Sequence, residues 1–144
     1  MLDKRLVIVI GHYGSGKSEF SVNYAVKMKE KYVNVSIADL DIVNPYFRSR
    51  EKREFLEKIG VKVFDSSIKN TAIDIPALPA EITGVILNPN ERSILDVGGD
   101  PVGARVLARY AEQIKNTEYD MFFIINGNRP ETSTVEGAIK YLEM

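Results

Sequence analysis

Short apolar runs alternate along this chain with longer segments in which apolar residues recur at helical spacing. The short runs are rich in β-branched residues and predict buried strands. Strands are expected at Leu6–Ile10, Asn34–Ala38, Val61–Phe64, a run that ends at Asp96, and Asp120–Asn126. Helices are expected at 20–28, Tyr46–Ile59, Ala80–Leu87, Val102–Ile114, and from Thr132 or Ser133 onward. This alternation predicts an α/β fold with a mainly parallel sheet of about five strands and helices on both faces.

The helical spacing also indicates which side chains face the core. In the first helix, Phe20, Tyr24 and Met28 recur at every fourth position. The second helix is expected to point Phe47, Phe55, Leu56 and Ile59 inward. The fourth is expected to bury Val102, Val106, Leu107, Tyr110 and Ile114. The stretch Asp65–Pro79 is irregular, and we interpret it as a surface connection or lid.

Composition narrows the class of protein. The 144 residues are 44% hydrophobic with a formal net charge of −1, which suits a single globular domain spanning 1–144. No run approaches the roughly 20 apolar residues of a membrane span, and no signal peptide precedes the first strand. The absence of cysteine excludes disulfides and thiolate metal sites, and a single histidine argues against a histidine zinc site. No block is basic enough to indicate nucleic-acid binding. The cytoplasm is the default expectation for the location of such a chain.

The residues between the first strand and the first helix fit the phosphate-loop pattern G-x-x-x-x-G-K-[ST] at every position, from Gly11 to Ser18. Glycines allow the backbone to form a concave nest of N–H groups around an anion, and the helix N-terminus adds its positive dipole end. Lys17 is expected to reach the β- and γ-phosphates, and the Ser18 hydroxyl to take one Mg²⁺ position.

A dinucleotide-binding interpretation is weaker. It requires G-x-G-x-x-G, and the run that starts at Gly14 has Glu19 in place of the third glycine. A carboxylate suits neither tight helix–strand packing nor a nearby pyrophosphate. The phosphate-loop interpretation is therefore preferred.

Acidic residues follow two of the predicted strands. Asp39 and Asp41 close the second strand, at the end of an open α/β sheet where ligands bind. Asp96 closes a later strand and is expected to hold Mg²⁺ together with Ser18. The spacing from Asp96 to Gly99 is D-x-x-G, which would set a flexible backbone N–H beside the γ-phosphate. Arg48 and Arg50 follow the second strand and are further candidates for phosphate contact.

These segments together resemble the ParA/MinD/CobQ-type nucleotide-binding superfamily of phosphate-loop NTPases, and within it an uncharacterised bacterial ATP-binding group. The resemblance is carried by Gly11–Ser18, Asp39–Arg48, Leu95–Asp100 and Asn126–Pro130. It covers the whole chain but only the N-terminal part of such a domain. It implies a three-layer fold whose C-terminal strands, with the base-recognition segment, lie beyond this sequence.

The resemblance also implies roles for individual residues. Asp41 would orient the attacking water, with Asp39 assisting near the metal. The family has a lysine at the second loop position, which acts across a dimer, whereas this chain has His12. A neutral imidazole lacks lysine's permanent charge, so activation across a dimer by that lysine is in doubt. His12 as a solvated loop side chain is an equal alternative.

The expected function is Mg²⁺-dependent ATP binding with slow, switch-type hydrolysis to ADP and phosphate, in which Lys17, Asp41 and Asp39 are the catalytic residues. Ser18 and Asp96 are the expected metal ligands. The residues expected to contact nucleotide are Gly11, His12, Tyr13, Gly14, Ser15, Gly16, Lys17, Ser18, Glu19 and Gly99. A small-molecule kinase, a GTP-binding regulator and a non-hydrolysing assembly module remain alternatives, and the sequence does not distinguish adenine from guanine. If the last strand lacks a neighbour, its edge is expected to support a homodimer or other self-association.

Overall fold

The computed structural model describes residues 4–11, 14–40, 50–65, 80–99, 101–127, 134–136 and 139–140. Its strands are β1 (Leu6–Gly11), β2 (Val35–Asp39), β3 (Lys62–Asp65), β4 (Arg92–Gly98) and β5 (Tyr119–Ile124). Its helices are α1 (Lys17–Lys31), α2 (Arg50–Lys58), α3 (Ala80–Leu87), α4 (Pro101–Arg109) and α5 (Ala111–Lys115).

The five strands form one parallel sheet in the order β3-β2-β4-β1-β5. The expected α/β class and parallel sheet are therefore confirmed. β1 lies between β4 and β5, so the strand before the glycine-rich loop has a neighbour on each side. Every connection between parallel strands must return to the starting end of the sheet, which is why the helices separate strands along the chain.

Alternate residues of β1 enter different hydrophobic clusters. Leu6 and Ile8 belong to a cluster that also contains Ile82 and Ile86 of α3. The same cluster includes Val106 of α4 and Ile114 of α5. Burying a large aliphatic side chain stabilises the fold by roughly 1.5–3 kcal/mol, so this cluster anchors the three helices that follow β3.

Val7 and Val9 belong to the second cluster, with Val22 and Ala25 of α1. Leu56 of α2 also enters this cluster and is fully buried. The period-2 division of β1 between the clusters is what a strand buried on both faces produces. It fixes which residues of the sheet face the start of α1.

The structure differs from the sequence-based prediction at several positions. The segment Val102–Ile114 is not one helix, because α4 ends at Arg109 and α5 begins at Ala111. At the junction the Tyr110 N–H bonds the Leu107 carbonyl three residues back, which tightens the last turn. The inward placement predicted for Phe55 is wrong, since that side chain is 49% exposed while Leu56 beside it is buried. Phe47 and most of Asp65–Pro79 lie outside the described residues.

None of the helices that the structure describes has both the length and the apolar character needed to cross a lipid bilayer.

Candidate functional site

The glycine-rich loop joins the end of β1 to the start of α1. Gly14 and Gly16 have φ angles of 79° and 94°, in the left-handed region that side-chain-bearing residues seldom adopt. Gly16 is also the N-cap of α1 and offers no side chain to the first-turn N–H groups. No N-cap side chain therefore bonds the first-turn N–H groups of α1, as expected for a helix end that binds an anion.

The loop packs closely over the end of β1. A Cβ added at Gly11 would lie 2.6 Å from the Ser15 Oγ and 2.7 Å from the Ile124 carbonyl oxygen. Only glycine fits there without a shift of the neighbouring backbone. The Ser15 Oγ is buried and has no hydrogen-bond partner among the described residues. A buried hydroxyl without a partner is unusual, and a polar ligand or a water molecule in the loop would satisfy it.

Three predicted site residues are in contact where the loop joins α1. The Lys17 Nζ lies 3.0 Å from the Asp96 Oδ1, and the Ser18 hydroxyl donates to the Asp96 Oδ2 at 2.8 Å. The side chains of Lys17 and Asp96 are 7% and 0% exposed. Residues 78 and 79 positions apart in the sequence thus form one buried, charge-assisted cluster.

Sheet register explains why Asp96 reaches this cluster. Asp96 pairs with Val9 on one side and with Asp39 on the other. Residues in register on neighbouring strands share a face of the sheet, and Val9 belongs to the cluster that contains α1 residues. Asp39 is buried one strand away from Asp96, so two predicted site carboxylates lie side by side.

The turn after β4 is held against the end of β1. The Gly99 N–H donates to the Gly11 carbonyl at 3.1 Å. A Cβ added at Gly103 would lie 1.8 Å from the Gly98 carbonyl oxygen, so α4 begins in direct contact with the end of β4. In this arrangement the backbone donor predicted to face a γ-phosphate is bonded within the protein.

A residue beyond the end of β5 also contacts the loop. The Asn126 side-chain amide donates to the Gly14 carbonyl at 3.1 Å. Sequence reasoning did not assign Asn126 to the site. The available signal was a polar side chain that closes the predicted strand Asp120–Asn126, at the end of the sheet where ligands bind.

The structure describes most of the predicted site residues. The described set is Gly11, Gly14, Ser15, Gly16, Lys17, Ser18, Glu19, Asp39, Asp96 and Gly99. Lys17, Ser18 and Asp96 are brought together, Asp39 is adjacent, and Glu19 is exposed in the first turn of α1. His12, Tyr13, Asp41 and Arg48 lie outside the described residues.

The oxygen atoms of Ser18 and Asp96 suit Mg²⁺. A hydroxyl and a carboxylate within hydrogen-bond distance are hard oxygen donors that one small cation can share. Within the described ranges, no group of three or more His, Cys, Asp or Glu side chains forms a metal cage. Mg²⁺ is typically held by one or two protein oxygens, with water and substrate phosphates completing the shell. The residues present therefore fit such a metal.

No protein-family model matches this chain, and no curated protein matches it.

Proposed function

We propose that the chain is a Mg²⁺-dependent ATP-binding protein with slow, switch-type ATPase activity. The observation that supports this most is the convergence of Lys17 and Ser18, at the start of α1, on Asp96 of β4. A buried lysine, a hydroxyl and a carboxylate lie beside glycines in the left-handed region. Together they suit a cationic hydrogen-bond donor for phosphate and a pair of oxygen ligands for a metal.

In this proposal each group has a separate role. The backbone N–H groups of the loop bind the phosphates, and Lys17 stabilises the charge on the transferring phosphoryl group. Ser18 and Asp96 hold Mg²⁺, which neutralises charge on the β- and γ-phosphates when bound. Asp39 and Asp41 position the attacking water. Catalysis then depends on positioning and electrostatics, without a covalent intermediate.

We further infer that the chain is a cytoplasmic protein of the ParA/MinD/CobQ-type superfamily with a three-layer fold. The glycine conformations, the register of Asp39 with Asp96 and the parallel sheet support this inference. The edge of β5 is proposed to support self-association, because among the described residues β5 pairs with β1 alone.

Substitution of Lys17 tests the proposal. Lys17→Ala removes the cation that contacts the phosphates, and we expect Mg–ATP binding measured by titration calorimetry to be lost. Lys27→Ala is the matched control, since Lys27 is on the same helix with a side chain that is 74% exposed. Circular dichroism establishes that both variants fold. Unchanged affinity in Lys17→Ala contradicts the assignment.

Nucleotide titrations and ADP-release assays distinguish the alternative functions. Competition between ATP and GTP, with and without Mg²⁺, identifies the preferred base. An ATPase releases ADP in the absence of an acceptor, whereas a small-molecule kinase releases it only when the acceptor is present. Binding without ADP release under either condition indicates a non-hydrolysing module.

A further inference from the structure

Lys17 and Asp96 are paired with each other, although the proposed function assigns them to different ligands. The Lys17 ammonium lies 3.0 Å from one carboxylate oxygen of Asp96, and the Ser18 hydroxyl binds the other. The proposed nucleotide site assigns Lys17 to phosphate, and Asp96 with Ser18 to Mg²⁺. In the structure, Lys17, the cation proposed for phosphate, therefore neutralises Asp96, the anion proposed for Mg²⁺.

Burial makes it energetically costly to separate Lys17 from Asp96. The two side chains are 7% and 0% exposed, so water cannot replace either partner at low cost. Removing one member of a buried ion pair is strongly destabilising, because the other charge loses its counterion. A polyphosphate that binds Lys17 would separate its ammonium group from the Asp96 carboxylate. A cation that binds Asp96 would likewise separate that carboxylate from the Lys17 ammonium.

We propose that the Lys17–Asp96 ion pair is a latch that makes polyphosphate binding and Mg²⁺ binding depend on each other. When both ligands arrive, Lys17 exchanges Asp96 for phosphate, and Asp96 exchanges Lys17 for Mg²⁺. Each buried charge then keeps an opposite charge throughout. The latch rests on the proposed function and adds a regulatory step at the same site.

A second predicted phosphate donor is also bonded within the protein, where it continues the parallel pairing of β1 with β4. The Gly99 N–H, which D-x-x-G spacing directs toward a γ-phosphate, donates to the Gly11 carbonyl at 3.1 Å. A charged and an uncharged donor predicted to meet phosphate thus both have protein acceptors here.

Because the coupling between two ligands is reciprocal, the latch can be tested from either side. Asp96→Asn keeps the shape of the side chain and removes its charge, which releases Lys17. With EDTA present, inorganic tripolyphosphate and ATP should bind this variant about tenfold more tightly than the wild type. Glu91→Gln is the matched control, since it neutralises another buried carboxylate, which lies just before the start of β4 and faces Lys62. An equal gain in both variants, or no gain in Asp96→Asn, overturns the latch.

The metal side is tested with Lys17→Met, which leaves Asp96 without its ammonium partner. In the absence of nucleotide, Mn²⁺ binding measured by electron paramagnetic resonance should strengthen about tenfold over the wild type. Lys27→Met removes an exposed lysine of the same helix and should leave Mn²⁺ affinity unchanged. If Asp96→Asn does not fold, as judged by circular dichroism, this experiment decides alone. Unchanged Mn²⁺ affinity in Lys17→Met contradicts the latch.

The outcome for the wild type separates the two proposals. If the wild type binds neither ATP nor tripolyphosphate with Mg²⁺ present, the proposed function fails and the latch fails with it. If the wild type binds Mg–ATP and neither variant gains affinity, the function stands and the latch is wrong.

Discussion

Tyr110 shows how a single buried polar atom affects this fold. The side chain is 5% exposed and lies in the cluster that contains Ile86 and Ile114. Its hydroxyl has no hydrogen-bond partner among the described residues. Burial raises the pKa of Tyr110 above its ordinary value of 10.0, since the phenolate would lose hydration, and nearby Arg109 opposes this to a smaller extent.

Stability should therefore fall as the pH rises above about 10. In that range the unfolded chain releases the Tyr110 proton more readily than the folded one, so deprotonation favours unfolding. Tyr110→Phe removes the titrating group, and its free energy of unfolding should decline less at alkaline pH than that of the wild type. At neutral pH the variant should be unchanged or up to about 1 kcal/mol more stable, because a buried hydroxyl without a partner is lost.

Urea denaturation at pH 7 and pH 10.5 measures both effects. Tyr119→Phe is the control, since Tyr119 is exposed and its substitution should change stability by less than about 0.5 kcal/mol. A pH dependence in Tyr110→Phe equal to that of the wild type would show that Tyr110 does not contribute to it.

At the scale of elements, the contact between α4 and the end of β4 is the tightest constraint near the site. Gly103 is in the first turn of α4, and a Cβ there would lie 1.8 Å from the Gly98 carbonyl oxygen. The atom in the way belongs to the backbone, so no side-chain rotation relieves the contact. Gly98 directly precedes the Gly99 N–H that bonds the Gly11 carbonyl. Packing of α4 therefore sets the position of the turn beside the loop.

Gly103→Ala should push α4 away from β4 and lower the free energy of unfolding by about 1–3 kcal/mol. Gly84→Ala is the matched control, because Gly84 is also helical and a Cβ there meets nothing within 4 Å. That control should gain about 0.5–1 kcal/mol from helix propensity. Thermal and urea unfolding of the two variants measure the difference. Equal stability of Gly103→Ala and the wild type would refute the packing argument.

The order and type of the elements could be predicted from hydrophobic periodicity, and the limits of α3 agree with the prediction. Periodicity did not predict the break between α4 and α5, because neither glycine nor proline marks it. It also misplaced Phe55, which is apolar but 49% exposed while its neighbour Leu56 fills the core. Adjacent apolar residues on a helix point in different directions, and tertiary packing decides which one is buried.

For the molecule as a whole, β5 is one of the two edge strands of the described sheet, and β3 is the other. Within the part of the chain that the structure describes, β5 pairs with β1 and has no second strand neighbour. Tyr119 and Met121 of this strand and the following Ile125 are exposed apolar residues. A strand edge with unpaired backbone groups and apolar side chains is a template for pairing with another chain.

We expect this chain to self-associate with increasing concentration, as measured by multi-angle light scattering. Met121→Lys puts a charge on β5 and should shift the distribution toward monomer. Val33→Lys adds the same charge at an exposed position between α1 and β2 and should leave the distribution unchanged. Monomeric wild-type protein at high concentration would contradict the expectation.

The sequence by itself determined the strand and helix pattern, the glycine-rich loop and the residue types suited to phosphate and Mg²⁺, because local spacing and side-chain chemistry encode these features. It also predicted that Asp96 would meet Ser18, but it did not show how residues so far apart in the chain come together. That was decided by the strand order and register, which place Asp96 of β4 beside β1 and next to Asp39. The pairing of Lys17 with Asp96 was likewise decided by the fold, since two opposite charges enclosed together must neutralise each other.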